Sequence, residues 1–170
     1  MIHPAPTPVR SAWAVAAIPP VLGGTAPAPL HLSPFGTPDG GTEALPQQDV
    51  DARLAGRRVL LVEDEVIVAL ELAMELEDRG AEVIGPAHDL ASAVDLAGAD
   101  GIDAAILDVD LRGEEVYPVA ERLMAAGVPF VFHTGHGDRA ELRERFGGAL
   151  VCTKPTLSEE LVAVVATLVD

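Results

Sequence analysis

The chain has 170 residues, and 11 basic against 27 acidic side chains give a formal net charge of -16. That length allows one ordinary domain with a tail rather than two well-packed ones. The charge argues against nucleic acid or an anionic membrane surface as partner, since phosphate binding needs clustered Lys and Arg. A single cysteine excludes an intramolecular disulfide framework, and no stretch approaches the roughly 20 uninterrupted apolar residues of a membrane helix.

Composition changes near residue 50. Ten of the 14 prolines precede it, together with only four charged residues, Arg10, Asp39, Glu43 and Asp49. Repeated X-Pro steps such as Pro4, Pro6 and Pro8 hold the backbone extended and remove amide donors, so no helical or strand period develops. Residues 1–55 therefore read as a Pro/Ala-rich disordered tail. Two sharper readings apply to it. The apolar run Ala12–Ile18, preceded by Arg10, resembles the core of a secretory signal, but Pro19 and Pro20 interrupt it. Alternatively, natural translation starts nearer Val50.

From Arg57 to the C-terminus, short apolar runs alternate with helical periods. The runs are Val59–Val62, Glu82–Ile84, Ala104–Leu107, Phe130–Phe132 and Ala149–Cys152. Four of the five are almost wholly apolar, the pattern of strands buried on both faces. A helix containing Val66, Leu70 and Ala73 closes at Gly80. Val116, Val119, Ala120, Leu123 and Met124 follow helical spacing up to Gly127 and Pro129. A last helix aligns Leu157, Leu161, Val164, Val165 and Leu168 after a Thr156–Glu159 capping box. Five βα units predict an α/β fold, a doubly wound parallel sheet with helices on both faces.

Open sheets of this kind bind ligands at the carboxyl ends of their strands. The first strand ends in Glu63-Asp64-Glu65, the third in Asp108 with Asp110 two residues on, the fourth in Thr134 and the fifth in Lys154-Pro155. Crowded carboxylates repel one another, and a hard cation relieves that repulsion. Magnesium takes one or two carboxylates, waters and phosphate oxygens. Asp64 and Asp108 suit it directly, Glu63 through water, and a backbone carbonyl near Asp110 completes the set. Lys154 is the only lysine beside ten arginines. A compact ammonium at a strand end suits a single phosphoryl or carboxylate oxygen.

Together, Val59-Leu60-Leu61-Val62-Glu63-Asp64-Glu65, Leu107-Asp108-Val109-Asp110, Thr134 and Lys154-Pro155 resemble the receiver domain of two-component response regulators over residues 57–170. The resemblance implies a flavodoxin-like (βα)5 sheet of strand order 2-1-3-4-5. It implies Asp108 as phosphoacceptor, Thr134 and Lys154 as phosphoryl-binding and switch residues, and Mg2+ held by Glu63, Asp64, Asp108 and the Asp110 carbonyl. The implied phosphodonor is a sensor histidine kinase or phosphotransfer protein, and the implied location is the cytoplasm. Two positions depart from the common pattern. Val151 stands where many receivers carry an aromatic residue. Phe132-His133-Thr134-Gly135-His136 resembles the Phe-x-Thr-Gly ending of a subgroup of single-domain receivers, with His133 in the place usually taken by alanine. The ordinary coupling of threonine to an aromatic is therefore not expected, and the Gly135–Gly137 loop is expected to switch by another motion.

Two rival chemistries fit parts of the sequence. Ile106-Leu107-Asp108-Val109-Asp110 also fits haloacid-dehalogenase-type phosphatases, with Asp110 as general acid. Against this, Glu63 and Asp64 precede the nucleophile, and the chain leaves no room for a cap. A zinc site from His133, His136 and Cys152 is opposed by strand alternation, which sends Cys152 into the packing. His88 reads as a loop residue. Arg139, Arg143 and Arg145, with Glu141 and Glu144, read as a solvated helix face or a partner contact. The sequence thus predicts a stand-alone receiver, a self-phosphorylating switch rather than an enzyme of turnover. It signals through protein contacts or serves as a phosphate sink in a phosphorelay.

Overall fold

A computed structural model describes residues 45–135 and 139–169. The chain begins with α1 (Gln47–Leu54), β1 (Arg58–Val62), α2 (Val66–Asp78), β2 (Glu82–Ala87), α3 (Leu90–Leu96) and β3 (Ala104–Asp108). A small hairpin follows, β4 (Asp110–Leu111) and β5 (Glu114–Glu115), then α4 (Tyr117–Ala126) and β6 (Phe130–Thr134). The last elements are α5 (Arg139–Arg145), β7 (Leu150–Thr153) and α6 (Ser158–Ala166). The sheet runs β2-β1-β3-β6-β7 with every neighbouring pair parallel. With the antiparallel β4–β5 hairpin set aside, this is the expected 2-1-3-4-5 order.

Each central strand feeds two cores. Leu60, Val62, Ala105, Leu107, Phe130 and Phe132 pack toward α3, α4 and α5. Val59, Leu61, Ala104, Ile106 and Val131 pack toward α1, α2 and α6. Burial on both faces is why these strands read as unbroken apolar runs. Phe130, Phe132 and Phe146 meet edge to face, with ring centroids 5.2 to 6.3 Å apart, an arrangement that suits aromatic quadrupoles. Among the described residues no helix is long and apolar enough to cross a membrane.

The helix α4 matches its sequence pattern: Val119, Ala120 and Leu123 are buried, and Gly127 ends it at φ 73° in the left-handed region. Three expectations need correction. Residues 47–54, assigned by composition to the tail, form α1, whose Val50 and Leu54 are buried against α6 and α2. In α6 the buried face is Leu161, Val162, Val165 and Ala166, with Val169 buried just beyond it, while Leu157 is 61% exposed. No capping box forms there, because Thr156 Oγ1 donates instead to the Thr153 carbonyl at 2.6 Å. The helix expected to contain Val66, Leu70 and Ala73 forms as α2, with Ala69, Leu72, Ala73 and Leu76 on its core side and Val66 and Leu70 exposed. The Ala12–Ile18 signal reading lies outside the described residues.

Candidate phosphoacceptor site

The site is built at the carboxyl ends of β1, β3, β6 and β7. Glu63 continues the line of β1: its amide donates to the Ala87 carbonyl at 2.9 Å, and its side chain is fully buried. His88, at the end of β2, places Nδ1 2.7 Å from the Glu63 carbonyl. Asp108 closes β3 with only 5% exposure, and Thr134 closes β6 with 2%. The Lys154 amide donates to the Thr134 carbonyl at 2.9 Å, continuing the β6–β7 ladder past the last strand residue.

Lys154 ties the rim together. Its Nζ donates to Glu63 Oε1 at 2.8 Å, Asp108 Oδ2 at 2.8 Å and Glu65 Oε1 at 3.0 Å. Glu63, Asp64 and Asp108 each offer an oxygen, and these atoms all lie within 4.8 Å of one another. Glu63 Oε2 is buried without a hydrogen-bond partner, and His133 Nδ1 lies 3.5 Å from it. Three carboxylates with one orphaned buried oxygen fit a hard divalent cation.

The electrostatics differ between the acids. Burial and the Glu63 charge raise Asp108 to about 6, against the opposing pull of Lys154. Glu63 moves the other way: burial raises it, but His133 and Lys154 outweigh that and hold it below its usual range. Burial alone would lower Lys154, yet its three carboxylate partners raise it, so it stays charged. The cluster therefore contains a firmly charged Glu63–Lys154 pair beside an Asp108 held close to neutral pH.

Of the residues expected from the sequence, Glu63, Asp64, Asp108, Thr134 and Lys154 lie at this rim. Asp110 is nearby, but its carboxylate accepts the Gly113 amide at 2.5 Å and closes the β4–β5 turn, where Arg112 has φ 60° and Gly113 φ 92°. His136 and Gly137 lie outside the described residues. Among the described residues, Glu63, Asp64 and Asp108 are the one group of His, Cys, Asp and Glu within joint metal reach, so His133 and Cys152 form no zinc set with a third ligand there. His88 is a loop residue, as expected; sequence reasoning missed its bond to the Glu63 carbonyl and the approach of His133 to Glu63. The rule that marked the other strand ends would also have marked His88, which directly follows β2.

No family model matches the chain. The transcriptional regulatory protein PdtaR of Mycobacterium tuberculosis is 32% identical over 128 residues, which cover 74% of this chain and 62% of that protein. The response regulator PhyR from Brucella abortus superposes with a TM-score of 0.61 at 24% identity, over 72% of this chain and 51% of that one. The chain thus spans less than two thirds of either protein. A response regulator receiver protein from Sinorhizobium medicae gives a TM-score of 0.59 at 26% identity, over 68% of this chain and 95% of that one. In strand order and fold the chain is similar to the receiver domains of response regulators, and its acidic rim lies at the carboxyl ends of the same sheet.

Proposed function

We propose that the chain is a phosphorylatable switch in which Asp108 accepts a phosphoryl group from a histidine kinase or phosphotransfer protein. The observation that carries this reading is the buried Asp108 carboxylate, 2.8 Å from Lys154 Nζ and within 4.8 Å of the other acidic oxygens. In the transfer an Asp108 oxygen bonds to phosphorus as the phosphorus–nitrogen bond of the donor phosphohistidine breaks. The donor imidazole leaves with the electron pair of that bond and takes up a proton. Glu63, Asp64, Asp108 and the Asp110 carbonyl would hold Mg2+, which supplies charge neutralisation for the transferring group. Lys154 would balance one further oxygen, and the Thr134 hydroxyl would bond another. Glu65, also held by Lys154, adds a second outer carboxylate to the rim.

Output by contact with another protein, or use as a phosphate sink, suits an acidic chain better than output on nucleic acid. The phosphatase alternative is disfavoured by Asp110, whose carboxylate is engaged in its own turn and not presented as an acid beside Asp108.

The test is intact-mass measurement after incubation with acetyl phosphate, with and without Mg2+, followed by borohydride trapping. One magnesium-dependent, alkali-labile phosphate mapping to Asp108 is expected, and Asp108→Ala should lose it. Full phosphate stoichiometry on that variant would sink the assignment. Steady phosphate release without an adduct would favour the phosphatase reading.

A further inference from the structure

Away from the acidic rim, α4 and α5 enclose a second set of groups that phosphoryl transfer does not use. Two adjoining concavities of about 330 and about 400 Å3 share Glu121 and Arg145. Their floor is the half-buried ring of Tyr117 beside Phe146, with centroids 5.4 Å apart. Their rim carries Glu114 and Glu115 from β5 and Glu121 from α4. The 117 and 121 positions are i and i+4, so ring and carboxylate stand one above the other on α4.

One cation already occupies this setting. The Arg145 guanidinium lies 4.2 Å from the Tyr117 ring centroid and pairs with Glu121 at 3.1 Å. Stacking on an aromatic face with simultaneous pairing to a carboxylate is an arginine geometry, which a lysine reproduces poorly. Three glutamates face this single arginine, so the groove keeps surplus negative charge after Arg145 is seated. The same surplus acts on Tyr117, whose hydroxyl is pushed up by burial and then by Glu115 and Glu141. Arg145 is 45% exposed on its side chain and Glu121 61%, so the pair is screened by solvent and open to exchange.

We propose that this groove is a docking surface for a basic segment of a partner protein, in which a partner arginine displaces Arg145 from Tyr117 and Glu121. Arg145 is then a built-in competitor that weakens binding, and Glu114, Glu115 and Glu121 supply the complementary charge. The proposal concerns the unphosphorylated protein and stands or falls apart from phosphoryl transfer.

An NMR titration of the full chain with a capped oligoarginine peptide tests it, with oligolysine of equal length as comparison. Saturable shifts centred on Tyr117, Glu121 and residue 145 are expected, with tighter binding of oligoarginine than of oligolysine. Arg145→Gln should tighten binding by about threefold or more by removing the competitor, and Glu121→Gln should weaken it by a similar factor. Equal affinity for the two peptides, or shifts centred on the acidic rim at Glu63, Asp64 and Asp108, would overturn the proposal. So would unchanged or weaker binding by Arg145→Gln. The spectra themselves report whether each variant is folded.

Discussion

Asp108 is pulled in two directions, by burial and Glu63 toward the proton and by Lys154 toward the charged form. The folded protein keeps the proton up to about pH 6, whereas the ordinary value is 3.8. Between those values the folded state binds more protons than the unfolded one. Stability of the metal-free protein therefore falls as pH rises through this window and levels off above it. Mg2+ favours the carboxylate and should move the titration to lower pH. Carbon-detected NMR of the Asp108 carboxyl, with and without Mg2+, checks both statements, and a midpoint near the ordinary value without metal would contradict the first. Glu63, Asp64, Asp108, Thr134 and Lys154 were legible in the sequence because each lies at or just beyond the end of an apolar run. The approach of His133 to Glu63 was not, because it depends on the side-by-side register of β1, β3 and β6.

Among elements, α1 is the one that composition hid. Its eight residues contain only two buried apolar side chains, Val50 and Leu54, too few to display a period beside a proline-rich segment. Their i, i+4 spacing nevertheless puts both on one face, where Leu54 is fully buried. Arg79 pairs with Asp51 at 3.1 Å and so ties α1 to the residue that ends α2. A cavity left by Leu54→Ala should cost about 2–4 kcal/mol, as for other buried leucines. Urea unfolding of that variant checks this, and a loss below about 0.5 kcal/mol, the range of surface substitutions, would place α1 outside the cooperative unit. The opposite error arose in α6, where several apolar positions fit more than one helical stripe. There the contact with α1 and α2, absent from any local pattern, selects the face through Val162 and Ala166.

For the whole molecule, the sheet order was readable because five apolar runs alternate with helical periods and leave few topologies open. The net charge of -16 has a different consequence, one for stability. Away from the rim, ion pairs such as Arg58–Glu82 and Arg145–Glu121 sit at the surface, where each contributes at most about 1 kcal/mol. Unpaired carboxylates outnumber them, so self-repulsion dominates the salt response. Raising NaCl from about 0.1 to about 1 M, which shortens the screening length from roughly 10 to roughly 3 Å, should raise the melting temperature. A fall would show that the pairs outweigh the repulsion.

Glu63 brings these scales together. Its amide is bonded to Ala87 and its carbonyl is met by His88, so both peptide groups beside its side chain are anchored to the far end of β2. An acidic residue on a free loop would swing outward when crowded by Asp64 and Asp108. Glu63 has no such escape, and the rim is left electrostatically frustrated, its discomfort transferable only to whatever enters. The strand pairing that folds the protein is thus also what makes this corner hungry for positive charge.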